Sequence, residues 1–82
     1  MTFYVYILLC SDNSFYVGYT KNLKQRLANH KCGHGSAYLR AKLPVKLVYY
    51  EVYSTKEEAT KREKQIKNWS RIKKINLIKL SK

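Results

Sequence analysis

Glu63 is an acid set among cations, with Lys61, Arg62 and Lys64 beside it. Helical spacing places it on one stripe with Ala59 and Ile66, at i, i+4 and i+7, so its carboxylate turns toward the interior. A carboxylate in that position is costly unless a cation or a metal ion balances it. Two chemistries follow: a structural ion pair, with Arg26 as a candidate partner, or a metal ligand. Arg26 and His30 lie four apart on an earlier helical stripe, where both can lean over the same edge of a sheet. Two tyrosines, Tyr6 and Tyr16, supply hydroxyl groups from a pair of strands near the N-terminus.

Those strands form the hairpin on which the chain is organised. Tyr4-Val5-Tyr6-Ile7-Leu8-Leu9-Cys10 and Phe15-Tyr16-Val17-Gly18-Tyr19-Thr20 are rich in aromatic and β-branched residues, joined by Ser11-Asp12-Asn13. Register decides which side chains share a face. A three-residue loop pairs Cys10 with Ser14, Tyr6 with Gly18 and Leu8 with Tyr16. Tyr6 and Tyr16 then share a face, and Gly18 leaves room for the Tyr6 ring. A four-residue loop would put the tyrosines on opposite faces. The first register is preferred because it accounts for the glycine.

The elements around the hairpin follow from caps and periodicity. Asn22 caps a helix over 22–31, with Gln25 at its third position and Leu23 and Leu27 as its buried stripe. Cys32-Gly33-His34-Gly35-Ser36-Ala37 reads as a loop, and 38–42 as a helical turn ending before Pro44. A third strand spans 45–53. Ser54-Thr55-Lys56-Glu57 reads as a capping box opening a helix over 55–68, with Glu57 and Glu58 in its first turn. Ser70 caps a last helix over 70–80. Its Ile72, Ile75, Leu77, Ile78 and Leu80 are expected to cover the core, and Arg71, Lys73, Lys74 and Lys79 to face solvent or phosphate. Asp12 belongs to the turn and Glu51 to the third strand. The fold class is α/β (α+β): a small three-stranded antiparallel sheet, hairpin 3–10/14–20 plus strand 45–53, flanked by helices.

Eighty-two residues make a single domain, 1–82, with a small core. Seventeen Lys and Arg oppose five Asp and Glu, a formal net charge of +12. That excess favours polyanionic partners through counterion release and steering, and nucleic acid is the expected one. The apolar run from Phe3 to Cys10 is too short to span a bilayer, and the N-terminus lacks the pattern of a signal peptide. A cytoplasmic monomer is expected, with reduced thiols at Cys10 and Cys32, no disulfide and no membrane partner. His30, Cys32 and His34 lie close together. A structural zinc site takes four ligands, however, and Cys10 would have to supply the fourth from the hairpin, so zinc is not expected.

The combination of Tyr4-Val5-Tyr6, Tyr16-Val17-Gly18, the helical Arg26 and the inward Glu63 resembles the GIY-YIG nuclease domain. The family's order of two strands, helix, strand and helices agrees, and the resemblance runs from about Thr2 to Leu80. Gly33-His34-Gly35, Tyr38, Pro44 and Lys67-Asn68-Trp69-Ser70-Arg71 are similar to the small stand-alone bacterial members of uncharacterised function. The motif's first glycine is Tyr4 here. Asn68 and Asn76 are the candidates for an asparagine found late in the family's domain.

The resemblance implies a metal-dependent endonuclease, with DNA as the expected substrate. Glu63 would hold one Mg2+ or Mn2+ ion, weakly and with its waters kept. Five acids, two of them at a helix start, are too few for a carboxylate-rich two-metal site. Arg26 would grip the scissile phosphate with its planar fork. Tyr6 and Tyr16 would position or deprotonate the attacking water, the many cations lowering a phenol's pKa. His30 would assist proton transfer or touch phosphate. Gly18, Lys24, Arg40, Lys67 and Arg71 are the expected substrate contacts. The alternatives are a non-catalytic basic module that binds nucleic acid and an adaptor that docks on an acidic partner.

Overall fold

The computed structural model describes residues 1–31 and 41–80, apart from the side chains of His30 and Lys31. Its hairpin closes through Cys10 N–H donating to Ser14 O at 2.9 Å and Asn13 N–H donating to Cys10 O at 3.0 Å. Asn13 sits at φ 66°, the left-handed position that a three-residue hairpin loop calls for and that Asn adopts more readily than most residues. Asp12 accepts from Ser14 N at 3.1 Å, from Ser14 Oγ at 2.6 Å and from the Lys42 ammonium. Lys42 above all, with Ser14, holds the Asp12 carboxyl well below the usual carboxylate range.

This turn fixes β1 (Phe3–Leu9) against β2 (Phe15–Thr20), with Tyr6 opposite Gly18 and Leu8 opposite Tyr16, as the glycine argument requires. β3 (Lys46–Tyr53) pairs antiparallel with the other side of β1, giving the order β2-β1-β3. The strands end a residue or so inside the expected bounds, where ladders fray. A central β1 explains its near-continuous apolar run, because both of its faces are covered. Val5, Tyr6, Ile7 and Leu8 are all buried. The register shifts between Ile7 and Leu8, so Ile7 faces Tyr49 while Leu8 faces Leu47. The extra residue in β3 keeps Leu47 on the Leu8 face.

One helix covers each face. α1 (Leu23–Lys31) starts where Asn22 Oδ1 accepts from Gln25 N at 3.0 Å. Its Leu23 and Leu27 pack on Tyr6, Leu8, Cys10 and Val45. α2 (Lys56–Lys67) lays the fully buried Ala59 and Ile66 on Phe3, Val5, Ile7 and Val17. Its capping box is shifted from the expected one: Thr55 is the N-cap, its Oγ1 accepting from Glu58 N at 3.2 Å and donating to Glu58 Oε1 at 3.0 Å. Thr55 with Glu58 preserves the three-residue spacing one step later than Ser54 with Glu57.

α3 (Arg71–Leu80) begins at Ser70, whose Oγ accepts from Lys73 N at 3.3 Å. It covers the core less than expected. Leu77 and Ile78 pack on the α2 side, whereas Ile72 is 72% exposed and Leu80 85%. At a helical 100° per residue the five apolar side chains are spread around α3, and Ile72 lies far round from the packed pair. The helix is tied down at its start instead. Arg71 donates to Asn13 O in the hairpin turn and stands 4.8 Å over the Phe15 ring. The preceding Trp69 ring has the Arg62 guanidinium at 4.9 Å and the Lys73 ammonium at 4.4 Å. The expected loop at 32–37 and most of the turn at 38–42 lie outside the described residues.

Candidate active site

A cleft of about 620 Å³ opens where β2, α1 and α2 meet. Tyr6, Tyr16, Gly18, Arg26 and Glu63 all line it. The residues singled out by type and spacing therefore converge, although the chain carries them on four different elements.

The two tyrosines are held by the register. Tyr6 is 2% exposed, and its ring centroid lies 6.5 Å from that of Tyr16. Gly18 makes the fit possible. A Cβ there would stand 2.6 Å from Tyr6 Oη, 2.8 Å from Tyr6 Cζ and 3.3 Å from Tyr16 Cε1. The glycine serves space rather than backbone conformation, since its φ is not left-handed and the Tyr6 ring tip fills the place a Cβ would take. Burial first, then the neighbouring Tyr16, push the Tyr6 phenol up to about 12; Arg26 opposes this and Glu63 adds to it. The sequence reading that nearby cations lower the phenol's pKa is thus reversed at Tyr6, because desolvation outweighs the one arginine close enough to matter. At neutral pH Tyr6 is a hydrogen-bond donor and not a base.

Arg26 is exposed on the cleft side of α1. Glu63 has a largely buried side chain, 13% exposed, and takes an ion pair from Lys67 Nζ at 3.4 Å, four residues along the same helix. Its structural partner is thus Lys67, one turn away, and not the Arg26 considered from sequence. The other inward carboxylate, Glu51, differs sharply. Arg62 reaches it with two donors, Nε to Oε1 at 2.9 Å and Nη2 to Oε2 at 3.0 Å. Tyr53 Oη donates at 2.5 Å, and Tyr49 Oη donates as well. Burial alone would raise the Glu51 carboxyl, but Arg62, Tyr49 and Tyr53 together hold it below its ordinary value. Glu51 has its acceptor capacity filled, whereas Glu63 has one flexible lysine.

The remaining expected contacts are scattered. Lys24 lines an adjoining depression rather than the cleft. Lys67 is engaged by Glu63. Arg71 is committed to the hairpin turn. Arg40 and the side chain of His30 lie outside the described residues, as do Cys32 and His34; Cys10 is a buried free thiol. Asn68 and Asn76 are not among the cleft residues, and Asn22 and Asn29 are. Sequence reasoning passed over Gln25, Asn29 and Lys56, which line the cleft. A signal existed for α1: Asn22, Gln25, Arg26 and Asn29 form one polar stripe at i, i+3, i+4 and i+7. Nothing local marked Lys56, which arrives from the start of α2.

Residues 2–76 match the model of the GIY-YIG catalytic domain. The chain belongs to the GIY-YIG domain family. A UPF0213 protein of Staphylococcus haemolyticus is 49% identical over 75 residues, 92% of each chain. UPF0213 proteins of Staphylococcus aureus are 50% identical over 76 residues, 93% of each. The solution NMR structure of a UPF0213 protein from Bacillus halodurans superposes with a TM-score of 0.64 at 42% identity, covering 98% of this chain and 85% of that one. A solution NMR structure from E. faecalis gives 0.66 at 38%, with the same coverage. These relatives place this GIY-YIG domain in the small single-domain UPF0213 group. Among its described residues no helix is long and apolar enough to cross a membrane.

Proposed function

We propose that this GIY-YIG domain is a divalent-metal-dependent endonuclease acting on DNA. The observation that carries the reading is the convergence of Tyr6, Tyr16, Arg26 and Glu63 on one cleft of a chain with a net charge of +12. Glu63 fits a Mg2+ or Mn2+ ion of the kind that keeps its waters and binds through one carboxylate plus substrate phosphate. Its single lysine partner is exposed and can yield; Glu51, saturated by three residues, cannot serve. An ion held there supplies charge neutralisation at the phosphate and a more acidic water.

The protein's own groups do the rest. Arg26 pairs with the scissile phosphate and balances the charge that builds on it. Tyr6 stays protonated and donates its hydroxyl hydrogen, holding the phosphate or the attacking water in line. The proton lost by that water leaves through Tyr16 or His30. Lys21 and Lys56 also line the cleft and would meet the flanking backbone.

Branched, nicked and linear DNA incubated with the protein and Mg2+ or Mn2+ tests this. Cleavage should vanish in Glu63→Ala and Arg26→Ala; cleavage that persists in Glu63→Ala overturns the reading. The net charge of +12 by itself also supports a second reading, a basic module that binds nucleic acid without turnover. That reading predicts salt-sensitive binding with no metal-dependent product.

A further inference from the structure

The face of the sheet that carries Tyr6 does not end at the cleft. Tyr50 lies directly across from Tyr6 on the β3 side, as Gly18 does on the β2 side. Tyr50 is therefore one strand spacing, about 5 Å, from Tyr6. Tyr4, two residues before Tyr6 on β1, shares this face, and its ring centroid is 6.2 Å from that of Tyr50 at an interplanar angle of 58°. Tyr50 is 53% exposed. The two rings, with Lys21 and Lys24, line a shallow groove of about 580 Å³. Lys21 and Asn22 border this groove and the cleft alike, so the two depressions meet at the start of α1.

An exposed aromatic surface normally has a partner or a use. Here the rings are flanked by ammonium groups, in a strongly basic chain, and run on from a site read as a phosphate cleft. Aromatic faces beside a cationic track are what a single nucleic-acid strand binds: bases stack and the backbone follows the charge. A duplex keeps its bases stacked on each other and has none to offer. We propose that the Tyr4–Tyr50 groove stacks an unpaired base of the strand whose phosphate occupies the cleft, making the domain selective for nucleic acid with a single-stranded segment at the site. The inference rests on the proposed nuclease reading and adds the substrate class.

The test compares a blunt DNA duplex with the same duplex carrying a single-stranded tail, with 2-aminopurine at the first unpaired position and Ca2+ in place of Mg2+. Wild type should bind the tailed DNA more tightly and quench the 2-aminopurine on binding. Tyr50→Ala should weaken tailed-DNA binding roughly five- to tenfold and abolish the quenching, leaving blunt-duplex affinity within about twofold. Tyr50→Trp should keep both. Tyr50 is half exposed, so thermal melts of these variants should match wild type. Equal losses on both DNAs, unchanged fluorescence, or a wild-type dimer in sedimentation that Tyr50→Ala dissociates would each overturn the groove assignment. Failure to bind either DNA would sink the nuclease reading itself, which keeps the two outcomes apart.

Discussion

Replacing Gly18 by alanine tests the geometry at the point of closest approach. The new Cβ would fall 2.6 Å from Tyr6 Oη, and reaching the 3.4 Å of ordinary contact demands about 0.8 Å of movement. A tyrosine tip on the surface would simply swing aside. Tyr6 is 2% exposed, and the adjacent Tyr16 Cε1 lies only 3.3 Å from the same Cβ, so the ring has little room to retreat. Overpacking of this kind costs about 1–3 kcal/mol. Alanine's advantage over glycine within a strand returns roughly 0.5–1 kcal/mol of that. A net loss of up to about 2.5 kcal/mol follows, with about 1 kcal/mol in mid-range, and a melting temperature lower by roughly 4–8 °C per kcal/mol. Function should suffer more than stability, because the hydroxyl that moves is the one we propose to face the reacting phosphate. A displacement near 1 Å can cost about 10²-fold in turnover. Adding Tyr6→Phe removes the 2.6 Å contact and leaves the one at 2.8 Å, so the double variant should recover part of the lost stability, by about 0.5–1 kcal/mol of coupling, and no activity. Melts and single-turnover cleavage on the four proteins check this. Gly18→Ala that melts with wild type and cleaves at its rate would refute the account of why a glycine stands there.

Four further outcomes are expected. Glu51→Gln should cost about 2 kcal/mol by leaving Arg62 and two phenols short of an acceptor, measured by urea unfolding at pH 7. The folded Glu51 carboxyl lies below its unfolded value, so its contribution is full above that value and is lost as pH falls through the folded one; Glu51→Gln should flatten the acid limb of a stability–pH curve. Tyr6, Tyr49 and Tyr53 are each pushed up to about 12, chiefly by burial, with Glu51 also raising Tyr49 and Tyr53. Their contribution is full below the unfolded phenol value and is lost as pH rises toward about 12, so these three should titrate last by tyrosinate absorbance. Arg71→Ala should lower stability by about 1 kcal/mol through the lost Asn13 and Phe15 contacts, while changing DNA affinity little. Lys67→Gln should tighten Mn2+ binding about twofold, the worth of an exposed helical pair, read by paramagnetic broadening of the Glu63 signals.

What the sequence displayed was whatever a short stretch decides alone. Gly18 decides for the three-residue loop around Asp12-Asn13, that loop specifies the register, and the register puts Tyr6 and Tyr16 on one face with Gly18 beneath. Asn22 and Ser70 start their helices where their side chains say they should. Strand order is different, because it depends on which surfaces cover which. Nothing local says that β3 joins the far side of β1, or that of its two faces the one carrying Tyr49, Glu51 and Tyr53 meets α2. Glu51 therefore read as an ordinary strand residue, and its partner Arg62 as one more cation. The pKa of Tyr6 was misread for the same reason: cations can be counted in a sequence, but burial depends on the packing of three elements.

The two inward carboxylates show how such sites can be told apart. Both sit on faces that pack inward, and both have a cation beside them. Glu51 meets a two-donor arginine fork and two phenols, a set that fills its oxygens and ties β3 to α2. A carboxylate so satisfied has nothing to gain from a metal ion and would lose three partners to take one. Glu63 has one ammonium at 3.4 Å, from a side chain 51% exposed that gives up little by turning to water. It also opens on the cleft that holds Arg26 and both tyrosines. Burial alone does not separate these two acids; the shortage of donors around a buried carboxylate does, and it is on that shortage that Glu63, rather than Glu51, is proposed as the metal ligand.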